Sequence, residues 1–208
     1  RAAIRPDTSV GFLETIANPT LEVIDLRAVA EIAHKAGAQV VVDNVFATPV
    51  HSNAVEQGAD VIVYSATKHI DGQGRALGGI ILGSRDYIRK TVEPYMKHTG
   101  GSMSPFTAWV MLKGMETMDL RVRAQVASAT ALSEALHGHA KLARAIYPGH
   151  ESHPQHDLVM SEMGAGGTVI ALDLAGGKEA AFRFLNALEI VKISNNLGDA
   201  KSIATHPA

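Results

Sequence analysis

Residues 39–43 read Gln-Val-Val-Val-Asp, three consecutive β-branched residues closed by an acid, and this run constrains the fold more than any other stretch. β-Branched side chains favour extended backbone. A strand with no polar face has to be covered on both sides, the condition of a parallel strand inside an open α/β sheet. Residues 10–14 (V-G-F-L-E) make a second short strand, followed by a turn in which Pro19 biases Asn18 away from helix. Asp25 then reads as an N-cap. Leu26, Val29, Ala30 and Ala33 fall at helical spacing, and Gly37 ends the helix. Beyond residue 43 come a loop at 44–49, a short helical turn at 53–57, a stop at Gly58, a strand at 60–64 and a glycine-flanked apolar run at 77–83. Strand, helix, strand, short helix, strand is the βαβ pattern, so an α/β fold with a mostly parallel sheet is predicted.

Further along, residues 105–118 are rich in apolar helix formers, and 119–137 continue as an amphipathic helix. Strand-like runs at 142–147, 168–174 and 190–193, a Pro/His-rich loop at 148–156 and a helix at 178–188 then suggest a smaller α+β unit. The expected division is therefore 1–119 and 120–208. With 46% hydrophobic and 19% charged residues over 208 positions, the chain can bury a core. A net charge of −2 gives no reason to expect nucleic acid or an anionic membrane as partner. The lack of cysteine excludes disulfides and thiolate metal sites, and no run is long enough to span a membrane, so a cytoplasmic protein is expected.

The chemistry gathers at strand ends, where open α/β sheets place their ligands. Asp43 closes one strand, and Lys68 follows the next in Y-S-A-T-K-H-I-D-G-Q-G-R (residues 64–75). A pyridoxal phosphate site needs such a pair. The lysine holds the aldehyde carbon as a Schiff base, and the aspartate keeps the pyridine nitrogen protonated. Ser65 and Thr67 add two hydroxyls suited to a phosphate dianion. Taken alone, these residues are also what a capping Asp, a surface Lys and a Ser/Thr turn look like. The glycine-rich stretch 72–79 lacks the Gly-Lys-Ser/Thr ending of a nucleotide loop. His150, His153 and His156 are three apart, but Pro148, Gly149 and Pro154 make a polar surface loop the better reading than a metal site.

E-T-x-x-N-P-T-L-E-V-I-D (residues 14–25), V-V-V-D-N-V-F-A-T-P (40–49) and the lysine stretch 64–75 resemble the Cys/Met-metabolism family of pyridoxal phosphate enzymes. So do L-K-G-M-E-T (112–117), Y-P-G-x-x-S-H-P-Q-H (147–156) and N-L-G-D-A-K-S (196–202), all in order along the chain. The resemblance implies the fold-type I transferase architecture, a large cofactor domain (here 1–119, in part) and a small C-terminal domain (120–208, in part). It implies pyridoxal 5'-phosphate bound by Lys68, Asp43, Ser65, Thr67 and Asn18, the last to the ring oxygen. It also implies a homotetramer built as a dimer of dimers, and Asn196 as a contact for the substrate carboxylate. Ile16 departs from the proline common at its position.

The sequence H-I-D-G-Q-G-R after the lysine, with Asn196 before Leu-Gly, is similar to the O-succinylhomoserine branch of the family. That branch implies γ-replacement on an amino-acid substrate, O-succinylhomoserine and sulfide giving homocysteine and succinate, with Lys68 as catalytic base and acid. Cystathionine γ-synthase and methionine or cystathionine γ-lyase chemistry remain alternatives, as does a non-catalytic piece. The resemblance further implies an internal part of a longer chain, with the phosphate-binding glycine turn, the ring-stacking tyrosine and the substrate arginine lying elsewhere.

Overall fold

A computed structural model describes residues 3–207. Strands β1 (Val10–Glu14), β2 (Gln39–Asp43) and β3 (Val61–Ser65) are parallel neighbours in that order. Strand β4 (Gly79–Gly83) closes the other side, antiparallel to β3. Helix α1 (Leu26–Lys35) makes the crossover from β1 to β2. Its first turn is capped as expected, the Asp25 carboxylate accepting from the Ala28 amide at 2.9 Å. Leu26, Ala30 and Ala33 on its inner face pack with Val40, Val42, Ile62 and Tyr64 into one buried cluster. Met111 joins it from α5 (Pro105–Met115), a helix capped by Ser104, whose hydroxyl accepts from Thr107 N at 3.1 Å.

The β-branched run predicts cover on both faces of the sheet, and among the described residues only one face is fully covered. The face bearing Val40 and Val42 is sealed, both valines being fully buried. The opposite face, reached by Phe12, Val63 and Ile81, is open enough to leave Phe12 65% exposed. The alternation explains the difference: α1 and α5 both pack on the face of Val40 and Val42.

Other boundaries shift for local reasons. The helix read at 53–57 is a turn, and the helix forms earlier, as α2 (Thr48–His51), with Pro49 in its first turn where the missing N–H costs nothing. A helical segment at 85–99, comprising α3 (Arg85–Tyr87), a π-helical turn (Ile88–Val92) and α4 (Glu93–Thr99), was not evident in the sequence. Helix α6 (Met118–Leu136) follows α5 after a two-residue break. Beyond it, β5 (Leu142–Ile146) pairs antiparallel with β6 (Ala171–Leu174), and an unforeseen α7 (His156–Glu162) lies between them. Helix α8 (Gly177–Asn186) and the short parallel pair β7 (Lys192–Ile193) and β8 (Ile203–Ala204) complete the order.

The part after α6 is tied back to the β1–α1 connection and to α1. The Gln155 side chain pairs with both backbone polar groups of Val23, accepting from Val23 N at 2.8 Å and donating to Val23 O. Arg27 of α1 bonds Glu162 of α7 at 3.0 Å. The histidine loop is less exposed than expected: His153 is buried, and His150 stacks on His137 with ring centroids 4.3 Å apart. Among the described residues no group of three His, Cys, Asp or Glu side chains is placed to hold a metal, and no helix is long and apolar enough to cross a membrane.

Candidate active site

The site forms where the parallel strands end. Glu14 aligns with Asp43, and Asp43 with Val63, so Asp43 and Ser65 project from the same open face of the sheet. A buried network just below stitches the three strand ends together. The Thr15 hydroxyl donates to Asn44 Oδ1 at 2.7 Å, and Asn44 Nδ2 donates to Tyr64 Oη at 2.9 Å and to Ser52 O at 3.2 Å. Asn44, wholly buried, is thereby satisfied on both its oxygen and its nitrogen. Sequence reasoning missed it, although a polar residue directly after a buried strand is a signal of this kind.

Asp43 is half-buried. Its Oδ1 accepts from the Val45 amide at 3.1 Å, and its other oxygen makes no hydrogen bond among the described residues. Burial pushes its carboxyl up from the usual aspartate range, the Val45 amide opposes this, and the Glu14 carboxylate reinforces it. A carboxylate strained in this way is stabilised by a cation or a protonated ring nitrogen brought against it.

Lys68 leaves β3 in a tight turn. Its amide donates to Ser65 O at 3.1 Å, and its carbonyl accepts from Gly72 N at 2.8 Å. Asp71, fully buried, anchors this turn by taking the Arg75 amide at 2.6 Å and the Arg75 guanidinium at 2.9 Å. Burial alone would raise the Asp71 carboxyl, but the Arg75 amide and guanidinium and the Gln73 amide outweigh it and hold the carboxyl low. Gly114 of α5 sits directly against this backbone.

The Lys68 ammonium forms no ion pair among the described residues. It donates instead to the neutral amide oxygen of Asn196 at 2.8 Å, joining two of the expected site residues. Ser65 lies half-buried at the strand end. Thr67 is partly engaged by its own loop, its hydroxyl accepting from Gly78 N at 3.1 Å. Asn18 stands exposed beside a cis Asn18–Pro19 peptide, and its side chain contacts none of the other five expected site residues by hydrogen bonding among the described residues.

A lysine just past a parallel strand's end, paired with no carboxylate among the described residues, and on the same sheet edge as an aspartate with one oxygen unbonded among them, is the arrangement of an enzyme working through a bound aldehyde cofactor. The family model for Cys/Met metabolism PLP-dependent enzymes matches residues 1–208, and the chain belongs to that family. Its relatives include the O-succinylhomoserine sulfhydrylase of Mycobacterium tuberculosis, 51% identical over 99% of this chain and 52% of that protein. The O-succinylhomoserine sulfhydrylase of Pseudomonas aeruginosa is 44% identical over 100% of this chain and 51% of that protein. The chain thus spans about half the length of the curated relatives it matches. Among solved structures, cystathionine gamma synthase from Xanthomonas oryzae pv. oryzae in complex with cystathionine superposes with a TM-score of 0.92 at 33% identity, over 96% of this chain and 51% of that one. The fold is that of the fold-type I PLP-dependent enzymes.

Pyridoxal 5'-phosphate is the cofactor this family implies. The residues present fit it at two points. Lys68 offers an amine held only by a neutral acceptor, and Asp43 offers a carboxylate that burial has left wanting a positive partner.

Proposed function

We propose that the protein catalyses γ-replacement on an O-acylated homoserine, taking O-succinylhomoserine and sulfide to homocysteine and succinate. The observation that carries the reading is the Lys68–Asn196 bond beside the Asp43 edge, which supplies a base whose amine is directed by an uncharged group. Lys68, Asp43, Ser65, Thr67 and Asn18 would hold the cofactor at its aldehyde carbon, pyridine nitrogen, phosphate and ring oxygen. When bound, pyridoxal phosphate supplies an electron sink for the pair left at the substrate Cα. Lys68 removes the Cα proton and then a proton from Cβ, so that the Cγ–O bond breaks with succinate leaving; hydrosulfide forms the C–S bond at Cγ, and protons are returned to Cβ and then to Cα. Asp43 holds the ring-nitrogen proton through these steps, and Asn196 turns from Lys68 to the substrate carboxylate.

The similarity to two O-succinylhomoserine sulfhydrylases supports this choice of substrate. The assignment of residues 1–119 to a cofactor domain and 120–208 to a small domain, a cytoplasmic setting and a homotetramer belong to the same proposal. A second reading, cystathionine γ-synthase, is favoured by the structural likeness to an enzyme of that name. It differs only in using cysteine as the sulfur nucleophile. The two separate on the protein at its natural length, given O-succinylhomoserine with sulfide and cysteine in competition. Homocysteine as the main product supports the first reading. Cystathionine supports the second, and a keto acid overturns both.

A further inference from the structure

The loop carrying Asn196 meets the lysine turn at three places in step. Lys68 Nζ reaches Asn196 Oδ1 at 2.8 Å, and Gly72 O accepts from Ala200 N at 2.7 Å. Between them, Gly198 lies on His69. A Cβ built on Gly198 would stand 2.6 Å from His69 N, 2.7 Å from Cγ and 2.8 Å from Cδ2, and φ is +70° at that position. Only glycine brings the loop this close to the ring.

His69 is itself held from several sides. It is 3% exposed, its Nε2 is 2.8 Å from the Thr168 hydroxyl, and its carbonyl accepts from Arg121 Nη2 at 2.9 Å. The same Arg121 nitrogen reaches Gly114 O at 2.8 Å, so the backbone under the ring is clamped between α5 and α6. The ring therefore has little freedom to follow Gly198 if the loop lifts.

We propose that His69 is a positioning residue for Lys68, its ring forming the floor on which Gly198 seats and so setting the Asn196 amide oxygen on the lysine ammonium. Burial, then the neighbouring Arg121 and Lys68 charges, push the His69 imidazole down to about 4, so at neutral pH the floor carries no charge to repel that ammonium. Its importance for catalysis rests on the reading of Lys68 given under Proposed function, but its test does not.

The test is acetylation of Lys68 by acetic anhydride at fixed pH in the natural-length protein freed of cofactor. Peptide mass spectrometry reads Lys68 against the exposed Lys97 as internal reference. His69→Ala raises Lys68 labelling about fivefold, the factor to which one ordinary hydrogen bond corresponds. Asn196→Ala does the same, and the double variant goes no further, because both remove one interaction. Gly198→Ala pushes the loop off from the other side and matches His69→Ala. His69→Phe keeps the floor and stays near the parent value. Unchanged labelling in folded His69→Ala or Gly198→Ala overturns the proposal, as does a multiplicative double variant or a His69→Phe as reactive as His69→Ala. Where His69→Ala does not fold, Gly198→Ala and His69→Phe decide alone. Absence of homocysteine formation would leave these ratios standing, so the two readings fail separately.

Discussion

Gly114 and Ile70 approach so closely that a Cβ built on the glycine would lie 2.2 Å from the Ile70 carbonyl oxygen, with Asp71 O at 2.8 Å. Helix α5 thus rests its backbone on the backbone of the lysine turn. Backbone cannot swing aside as a flexible side chain can. Gly114→Ala should cost about 1–3 kcal/mol of unfolding free energy, the range for overpacking a close contact. Gly11→Ala, where the nearest atom is Gln39 O at 3.9 Å, should stay within about 0.5 kcal/mol. Urea titrations of the two variants beside the parent measure both.

Lys68→Ala removes the one amine that the site directs. In the natural-length protein it should abolish the visible absorption of bound cofactor and lower homocysteine formation by roughly 10²–10⁴-fold, the usual worth of a positioned acid–base group. Absorption spectra and a thiol-product assay give the two readouts. A variant that keeps both would move the site elsewhere.

Asp43→Asn should pull function and stability in opposite directions. The folded-state carboxyl of Asp43 is raised. A raised group contributes stability that is present below its unfolded value, near 3.8, and lost as pH rises through the folded value. At neutral pH the charged parent bears that loss and the amide does not, while Oδ1 can still accept from Val45 N. The cofactor-free variant should therefore melt higher than the parent at pH 7, with the gap closing toward pH 4. Cofactor binding by the variant should weaken. Thermal melts at the two pH values test the sign.

Asp71 should show the reverse. Its folded-state carboxyl is lowered, so its contribution is present above the unfolded value and lost as pH falls through the folded value. Asp71→Ala leaves the Arg75 amide and Nε without their acceptor, while Nη2 keeps the carbonyl of residue 71, and should cost about 1–3 kcal/mol at pH 7. The difference from the parent should shrink on acidification. Urea midpoints across pH 3–7 would show it, and a constant gap would count against the assignment of Asp71 as the anchor of the turn.

Much of the sheet was legible because its strands carry dense apolar runs with sharp ends. Val40 and Val42 announce β2, and Asp43 and Lys68 could be placed once the strand ends were known. The helix at 85–99 could not be read in the same way. It buries no residue, so no apolar stripe marks it. Helix α2 is a four-residue turn, shorter than the helical period needs to show itself. At the site, Asp43 and Ser65 follow from register, a local property of the sheet. The meeting of Lys68 with Asn196 does not. It depends on how a loop docks, through Gly198 on His69, and no spacing in the sequence encodes that contact.

The Lys68–Asn196 bond joins positions 128 apart in the chain. Closing so long a loop is entropically costly until other contacts have already drawn its ends together. The strand that ends in Asp43 and the strand that precedes Lys68 are close in sequence, Gln39–Asp43 and Val61–Ser65, and pair with each other directly. Their lysine stays unguided until the segment around residue 196 arrives. Direction of the lysine therefore depends on a segment remote in sequence from the sheet, and a copy in which that segment is locally unfolded carries a lysine that Asn196 no longer directs.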